Sequence, residues 1–285
     1  MQYGADVSTP PLLARLVDDA AMFPPGNATA AAAITAHLGL RSGPLDPYVG
    51  PLLVHEGRWH ELVPAYAALG SPPLDVVVIG GHRVPGVVPP GLRVVGFERP
   101  VAEPPLPDAE DALTLACEVT ADDAGFEVLA EVADAAAAGI AVVAKFRTGG
   151  IEAAAFPDEP TVAAVIVEAV RVGAAIKFTA GLHHAVKFTD ATTGFEHHGF
   201  LNLLVAVARA EAGGAVADVV ELLAVRDGTD LAATVRGWSV EQVAAVRRTF
   251  VSFGCCGVED PLLDLVRLGL LDAPSLARPD GAGLA

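Results

Sequence analysis

The sequence predicts an α/β protein, a (β/α)8 barrel of the TIM type with an N-terminal helical extension. Short, almost continuously apolar runs alternate with segments whose apolar residues recur every three or four positions. That is the pattern of buried parallel strands joined by helical crossovers. Eight such runs can be counted, and 285 residues suit one closed barrel better than an open doubly wound sheet. Ionisable residues also collect at the C-terminal ends of the runs, where barrel enzymes carry their chemistry, while the strand starts are bland.

In chain order, residues 1–47 precede the first run and read as the helical extension, with Asp18 and Asp19 and then "MFPPGN" (22–27) as a helix end and turn. The predicted strands are "VGPLLVHE" (49–56), "LDVVVIGG" (74–81), "LRVVGFE" (92–98), "LTLACEV" (113–119), "IAVVAKF" (140–146), "AAIKFT" (174–179), "VVELLAV" (219–225) and "RTFVSFG" (248–254). Each is rich in β-branched or aromatic residues. Helices are expected over 59–69, 124–139, 160–173, 199–212, 239–248 and 260–271. Several carry their own punctuation: Asp122 and Asp123 before the second and Gly139 after it, Gly173 closing the third, and Ser239 with Gln242 as a capping box. Residues 82–112 are proline-rich and offer no full helix, and the tail 273–285 reads as flexible. No linker divides the chain, so residues 1–285 form a single domain.

Composition removes several function classes. With 35 acidic residues against 18 Lys and Arg, the net charge is −17, and no broad basic face is available for nucleic acid. No run of about 18 apolar residues lacks a charge or a Gly/Pro break, so no membrane span is expected. The start shows no basic segment followed by an apolar one, so the expected location is the cytoplasm. Cys117, Cys255 and Cys256 are an odd set, two of them adjacent, and read as reduced thiols.

The cations point to a site. There are three lysines and fifteen arginines, and every lysine precedes a phenylalanine: Lys145-Phe146, Lys177-Phe178 and Lys187-Phe188. Side chains alternate along a strand, so Lys145 and Arg147 share one face, as do Lys177 and Thr179. If Phe146 and Phe178 pack outward, both lysines point into the barrel. Two ammonium groups on adjacent strands would depress one pKa, giving the neutral amine that a nucleophile or general base requires. Arginine cannot do this, which is why lysine survives at these positions.

Glu118 ends the neighbouring strand on the same face, placed to move protons or to balance charge. His183-His184 and His197-His198 flank the loop after the 174–179 strand, placed for acid–base work or for contact with an anion. Their spacing matches no standard metal-ligand set, so neither metal nor other cofactor is expected. Gly254 and Gly257 bracket the two cysteines just before a helix, where barrels often hold an anion on backbone N–H groups.

A lysine at the end of the sixth counted strand, with a second on a neighbouring strand, resembles the class I (Schiff-base) aldolases. "IKFTAG" is similar to the K-T-S-T-G segment of deoxyribose-phosphate aldolases. The resemblance covers these few residues and the strand count. It implies Lys177 as the imine-forming lysine and Lys145 as its pKa-lowering neighbour, although here the second lysine is on the preceding counted strand and theirs follows. The expected protein is therefore an enzyme acting on a small anionic metabolite, bearing carboxylate or phosphate, by carbon–carbon lyase or isomerase chemistry. Lys177, Lys145, Glu118 and His183 would be catalytic. Arg147, His184, Thr179, His198, Gly254 and Gly257 would bind substrate. Two alternatives stand beside it, metal-assisted chemistry by the His/Glu cluster and a non-catalytic barrel that binds a small anion. Association into a homo-oligomer is left open.

Overall fold

The computed structural model describes residues 10–81, 83–99 and 113–272. Their centre is a closed parallel barrel. Its strands are β1 (Val17–Asp19), β2 (Val49–His55), β3 (Leu74–Ile79), β4 (Leu92–Arg99), β5 (Thr114–Val119), β6 (Val142–Arg147), β7 (Ile176–Thr179) and β10 (Phe250–Cys255). They follow one another in that order, and β1 closes the ring between β10 and β2. A short antiparallel hairpin, β8 (Phe188–Thr189) and β9 (Glu196–His197), stands outside the barrel after β7. The expected α/β barrel is the observed architecture, and seven of its strands lie where the apolar runs placed them.

The eighth strand does not. The run 219–225 is not a strand but most of helix α6 (Val216–Leu223). Its β-branched composition favours a strand, but Val219 and Leu223, four positions apart, are the residues it buries. Helical periodicity therefore outweighs residue preference. Asp218 strengthens the helix start by accepting a hydrogen bond from Ala215 N–H at 3.0 Å.

The missing strand is β1, inside the stretch expected to be a helical extension. Val17-Asp18-Asp19 is too short and too acidic to look like a strand. It pairs through Val17 with Phe253 and Val49, and Asp18 lies opposite Gly254. Residues 1–47 thus contain the first strand–helix unit, completed by α1 (Ala30–Arg41). Helix α1 is fixed to the strand by a buried contact, His37 Nδ1 to Asp19 Oδ2 at 2.9 Å.

Around the barrel run α2 (Trp59–Ala68), α3 (Asp123–Ala137), α4 (Glu159–Val172), α5 (Phe200–Glu211), α7 (Gly228–Arg236), α8 (Val240–Thr249) and α9 (Glu259–Arg267). The local signals work as expected. The Asp122 carboxylate accepts from Gly125 N–H, Ser239 and Gln242 form the capping box, and Gly173 ends α4 at φ 79°. Residues 83–91, between β3 and β4, contain no helix. The proposed flexible tail, 273–285, lies outside the described residues. Among the described residues no helix is long and apolar enough to cross a membrane.

The outer faces of the strands form the larger core. Phe178 packs on Phe250 and Phe253 on Phe200, with ring centroids 5.0 and 4.8 Å apart. Phe146 and Phe178 are both buried there, as alternation required, so Lys145 and Lys177 face the barrel interior. Gly50 on β2 makes room for an interior group, since a β-carbon at this position would overlap Asp18 Oδ1. Gly50→Ala is expected to lower stability by about 1–3 kcal/mol, read from urea unfolding. Gly39→Ala in α1, where a β-carbon meets nothing within 4 Å, should leave stability unchanged or raise it by up to about 1 kcal/mol.

Candidate active site

Six barrel strands contribute to one buried polar chain. Ser252 Oγ donates to Asp18 Oδ2 at 2.7 Å, and Lys177 Nζ donates to the same oxygen at 2.6 Å. Lys177 also pairs with Glu98 Oε1. The other oxygen of Glu98, Oε2, lies 2.8 Å from Lys145 Nζ, and Lys145 reaches on to Glu118 Oε2 at 3.4 Å. The order is Ser252, Asp18, Lys177, Glu98, Lys145, Glu118, with acids and amines alternating. Asp18, Glu98, Lys145 and Lys177 are all at most 5% exposed. Glu118, with a side chain 19% exposed, is where the chain approaches solvent.

This arrangement corrects the electrostatic expectation. Lys145 and Lys177 are paired in the strand register, but their ammonium groups are separated by the Glu98 carboxylate. Burial would lower the Lys177 pKa, yet Asp18 and Glu98 outweigh it and raise it above the ordinary lysine value. Lys177 is therefore a fixed cation, not the depressed amine. Burial likewise pushes the Glu98 carboxyl up, but Lys177 and Lys145 hold it down at about 2. For Asp18 burial prevails over Lys177 and Ser252, and its pKa is raised.

Strand numbering shifts as well. With β1 counted, Lys145 lies on the sixth barrel strand, two residues before its end, and Lys177 lies on the seventh. Both sit inside the barrel, below its rim. The rim above them carries Arg147, which is exposed, and Thr179. Arg147 has no ion-pair partner among the described residues. The loops after β6 and β7 are locked together there, as Thr148 Oγ1 donates to Ala180 O at 2.7 Å, with Ala180 at φ 65°. Gly254 lies beside Thr179 on the interior face.

The remaining candidates divide. His183 turns toward the end of β10, 3.7 Å from both Cys255 Sγ and Cys256 Sγ. Burial lowers the pKa of this imidazole and raises those of both thiols, so all three are neutral near pH 7. His184 turns the other way, with Nδ1 2.9 Å from Asp264 Oδ2 on α9. His198 is buried and bonded through Nε2 to Pro157 O at 2.7 Å, bracing the approach to α4. His197 bonds Gly181 O at 3.0 Å and stacks on Phe188. Gly257 precedes α9, whose first turn already carries Glu259 and Asp260, so an anion there would meet two carboxylates. Lys187 is buried between Glu159 and Glu196, a structural ion pair that holds the hairpin to α4.

Sequence reasoning missed Asp18, Glu98 and Ser252 as site residues. Alternation along β4 could have found Glu98, which sits one residue before the strand end. Asp18 was hidden because its strand was hidden. Among the described residues, no group of three or more His, Cys, Asp or Glu side chains is arranged to hold a metal ion.

Glu98→Gln would leave two buried ammonium groups without their shared counter-charge, and we expect it to cost about 3–5 kcal/mol at neutral pH. Because the folded Glu98 pKa of about 2 lies below its ordinary 4.5, this stabilisation is complete well above 4.5 and is lost as pH falls from there through the folded value. Denaturant unfolding should therefore show a constant gap between wild type and variant from pH 7 to about 5, then a shrinking one. Neither a protein-family model nor a curated protein matches this chain, so the reading of the site rests on its own geometry.

Proposed function

We propose that the protein is a cytoplasmic barrel enzyme that uses Lys145 as an amine nucleophile on a small anionic carbonyl compound, in carbon–carbon lyase or isomerase chemistry. The observation that carries this reading is the buried alternation of three carboxylates and two ammonium groups. Desolvating each charge costs several kcal/mol, and a barrel interior is more simply filled with aliphatic side chains. Charges kept there at such a cost are best accounted for by chemistry.

Each group in the chain takes a role in this proposal. Lys177 shares Asp18 and Glu98 and stays charged, an electrostatic anchor rather than a nucleophile. Lys145 has only a share of Glu98 and the longer contact to Glu118, so it is the less firmly held of the two. Glu118 is placed to take a proton from the Lys145 ammonium. The freed amine can then add to a substrate carbonyl and lose water to give an imine. Arg147 and Thr179, on the rim above, would receive the anionic group of the substrate. With β1 counted, the sixth-strand lysine is Lys145 and its partner follows on the seventh, the order in Schiff-base aldolases. Strand order thus favours Lys145 as the imine former, while the K-T-S-T-G likeness lies at Lys177.

Borohydride reduction in the presence of a panel of small aldehydes and 2-oxo acids tests this directly. A mass adduct confined to Lys145, absent from Lys145→Arg, is the expected result. Failure of every carbonyl compound to label either lysine would overturn the proposal.

A further inference from the structure

We propose that a second pocket, on the flank of the barrel, binds a small phosphate monoester with an apolar or aromatic body. It is a cavity of about 390 Å³ between the β7–β8 loop, residue 226 and the end of α9. None of its lining residues belongs to a barrel strand. It is therefore separate from the lysine site, and the inference does not depend on the lysine chemistry.

Charge is the first argument. The chain carries nearly two acidic residues for each basic one, yet this pocket is lined by Arg226, Arg267 and His184, beside the already paired Lys187, against a single carboxylate, Asp264. Glu159 and Glu196 hold Lys187 and one edge of Arg226, but neither lines the pocket. Arg226 and Arg267 remain about half-exposed or more, with side-chain exposures of 49% and 63%. Each guanidinium has five N–H donors, and the contacts to Thr189, Glu196 and Asp264 use only some of them. The rest are available to phosphate oxygens in the paired geometry that arginine favours.

The imidazole of His184 is held in place on the pocket wall. Asp264 Oδ2 accepts from Nδ1 at 2.9 Å and from Ala185 N–H at 3.1 Å, which fixes the ring. The other ring nitrogen, Nε2, has no hydrogen-bond partner among the described residues. Phe188 meets this ring edge-on at 4.6 Å, and Val186 and Leu268 complete an apolar surface. A pocket of this size with an apolar wall and a few convergent polar groups is the usual form of a small-molecule site.

The pocket walls are also rigid. Asn202, fully buried on α5, accepts from Lys187 N–H at 2.9 Å and donates to Val225 O at 2.8 Å. One side chain thus ties together the two walls that carry Phe188 and Arg226. Below them Gly228 packs so closely on Val186 and Leu268 that a β-carbon would sit 2.8 Å from each. The pocket is formed before any ligand arrives, so little ordering cost falls on binding.

Isothermal titration of the full-length chain with phenyl phosphate, and separately with inorganic phosphate, tests the assignment. Saturable binding of one phenyl phosphate per chain is expected, tighter than that of inorganic phosphate. Arg267→Gln should weaken it roughly tenfold, the scale of losing one charge-assisted contact, and Arg226→Gln with Arg267→Gln should weaken it further. Both arginines are exposed enough for the variants to fold, which circular dichroism would verify. Arg147→Gln, on the barrel rim, should leave the affinity unchanged. Absence of saturable binding at millimolar concentration would overturn the inference. So would binding that survives loss of both flank arginines but disappears in Arg147→Gln, because the phosphate would then belong to the barrel mouth. Neither arginine takes part in imine formation, so carbonyl trapping at Lys145 and phosphate binding on the flank succeed or fail independently.

Discussion

The Glu98 carboxylate is shared by two ammonium groups, one on each oxygen, in the middle of the barrel. An ammonium placed there alone would be deprotonated by its surroundings, and two placed side by side would repel as well. Held between them, Glu98 turns a prohibitive pair into a neutralised chain. Asp18 on one side and Glu118 on the other supply the remaining negative charge. The chain is asymmetric: the Lys177 end is buried and doubly held, and the Lys145 end leads through Glu118 toward solvent. That asymmetry distinguishes two lysines that look equivalent in sequence.

The barrel supports the chain in ways that are not themselves polar. Phe146, Phe178 and Phe253 occupy the outward faces and lock strands β6, β7 and β10 against the helices. Each outward aromatic fixes the inward direction of its neighbours. Gly50 contributes by omission, leaving space for the Asp18 carboxylate. Removing water from the interior strengthens every charge interaction in it, so close packing and electrostatics act together.

Much of this was legible in the residues. Seven strands declared themselves through apolar runs, and six helices through periodicity and caps, because those signals are local. The lysine-bearing strands were read correctly to the face, since alternation needs only one outward aromatic to set it. Two failures share a cause. Val17-Asp18-Asp19 is a strand because β2 and β10 make it one, and 219–223 is helical because its buried positions recur every four residues. In both, tertiary context overrode residue preference. The pKa direction of Lys177 failed for a related reason, since the intervening carboxylates come from β1 and β4, far away in sequence. The histidine doublets show the same limit. His183 and His184 are adjacent, yet the loop sends one toward Cys255 and Cys256 and the other to Asp264.

The pairing of β1 with β10 joins the two ends of the barrel sequence, and Ser252 and Asp18, bonded across it, are 234 residues apart. Contacts so distant along the chain carry a loop-closure entropy that only the completed seam repays. The Lys177 counter-ion therefore arrives with the seam. Until the last strand is in place, Lys177 lacks half its compensation and has reason to remain hydrated. Closure of the ring and completion of the charged chain both depend on the β1–β10 seam, so the buried charges are compensated only when the barrel is shut.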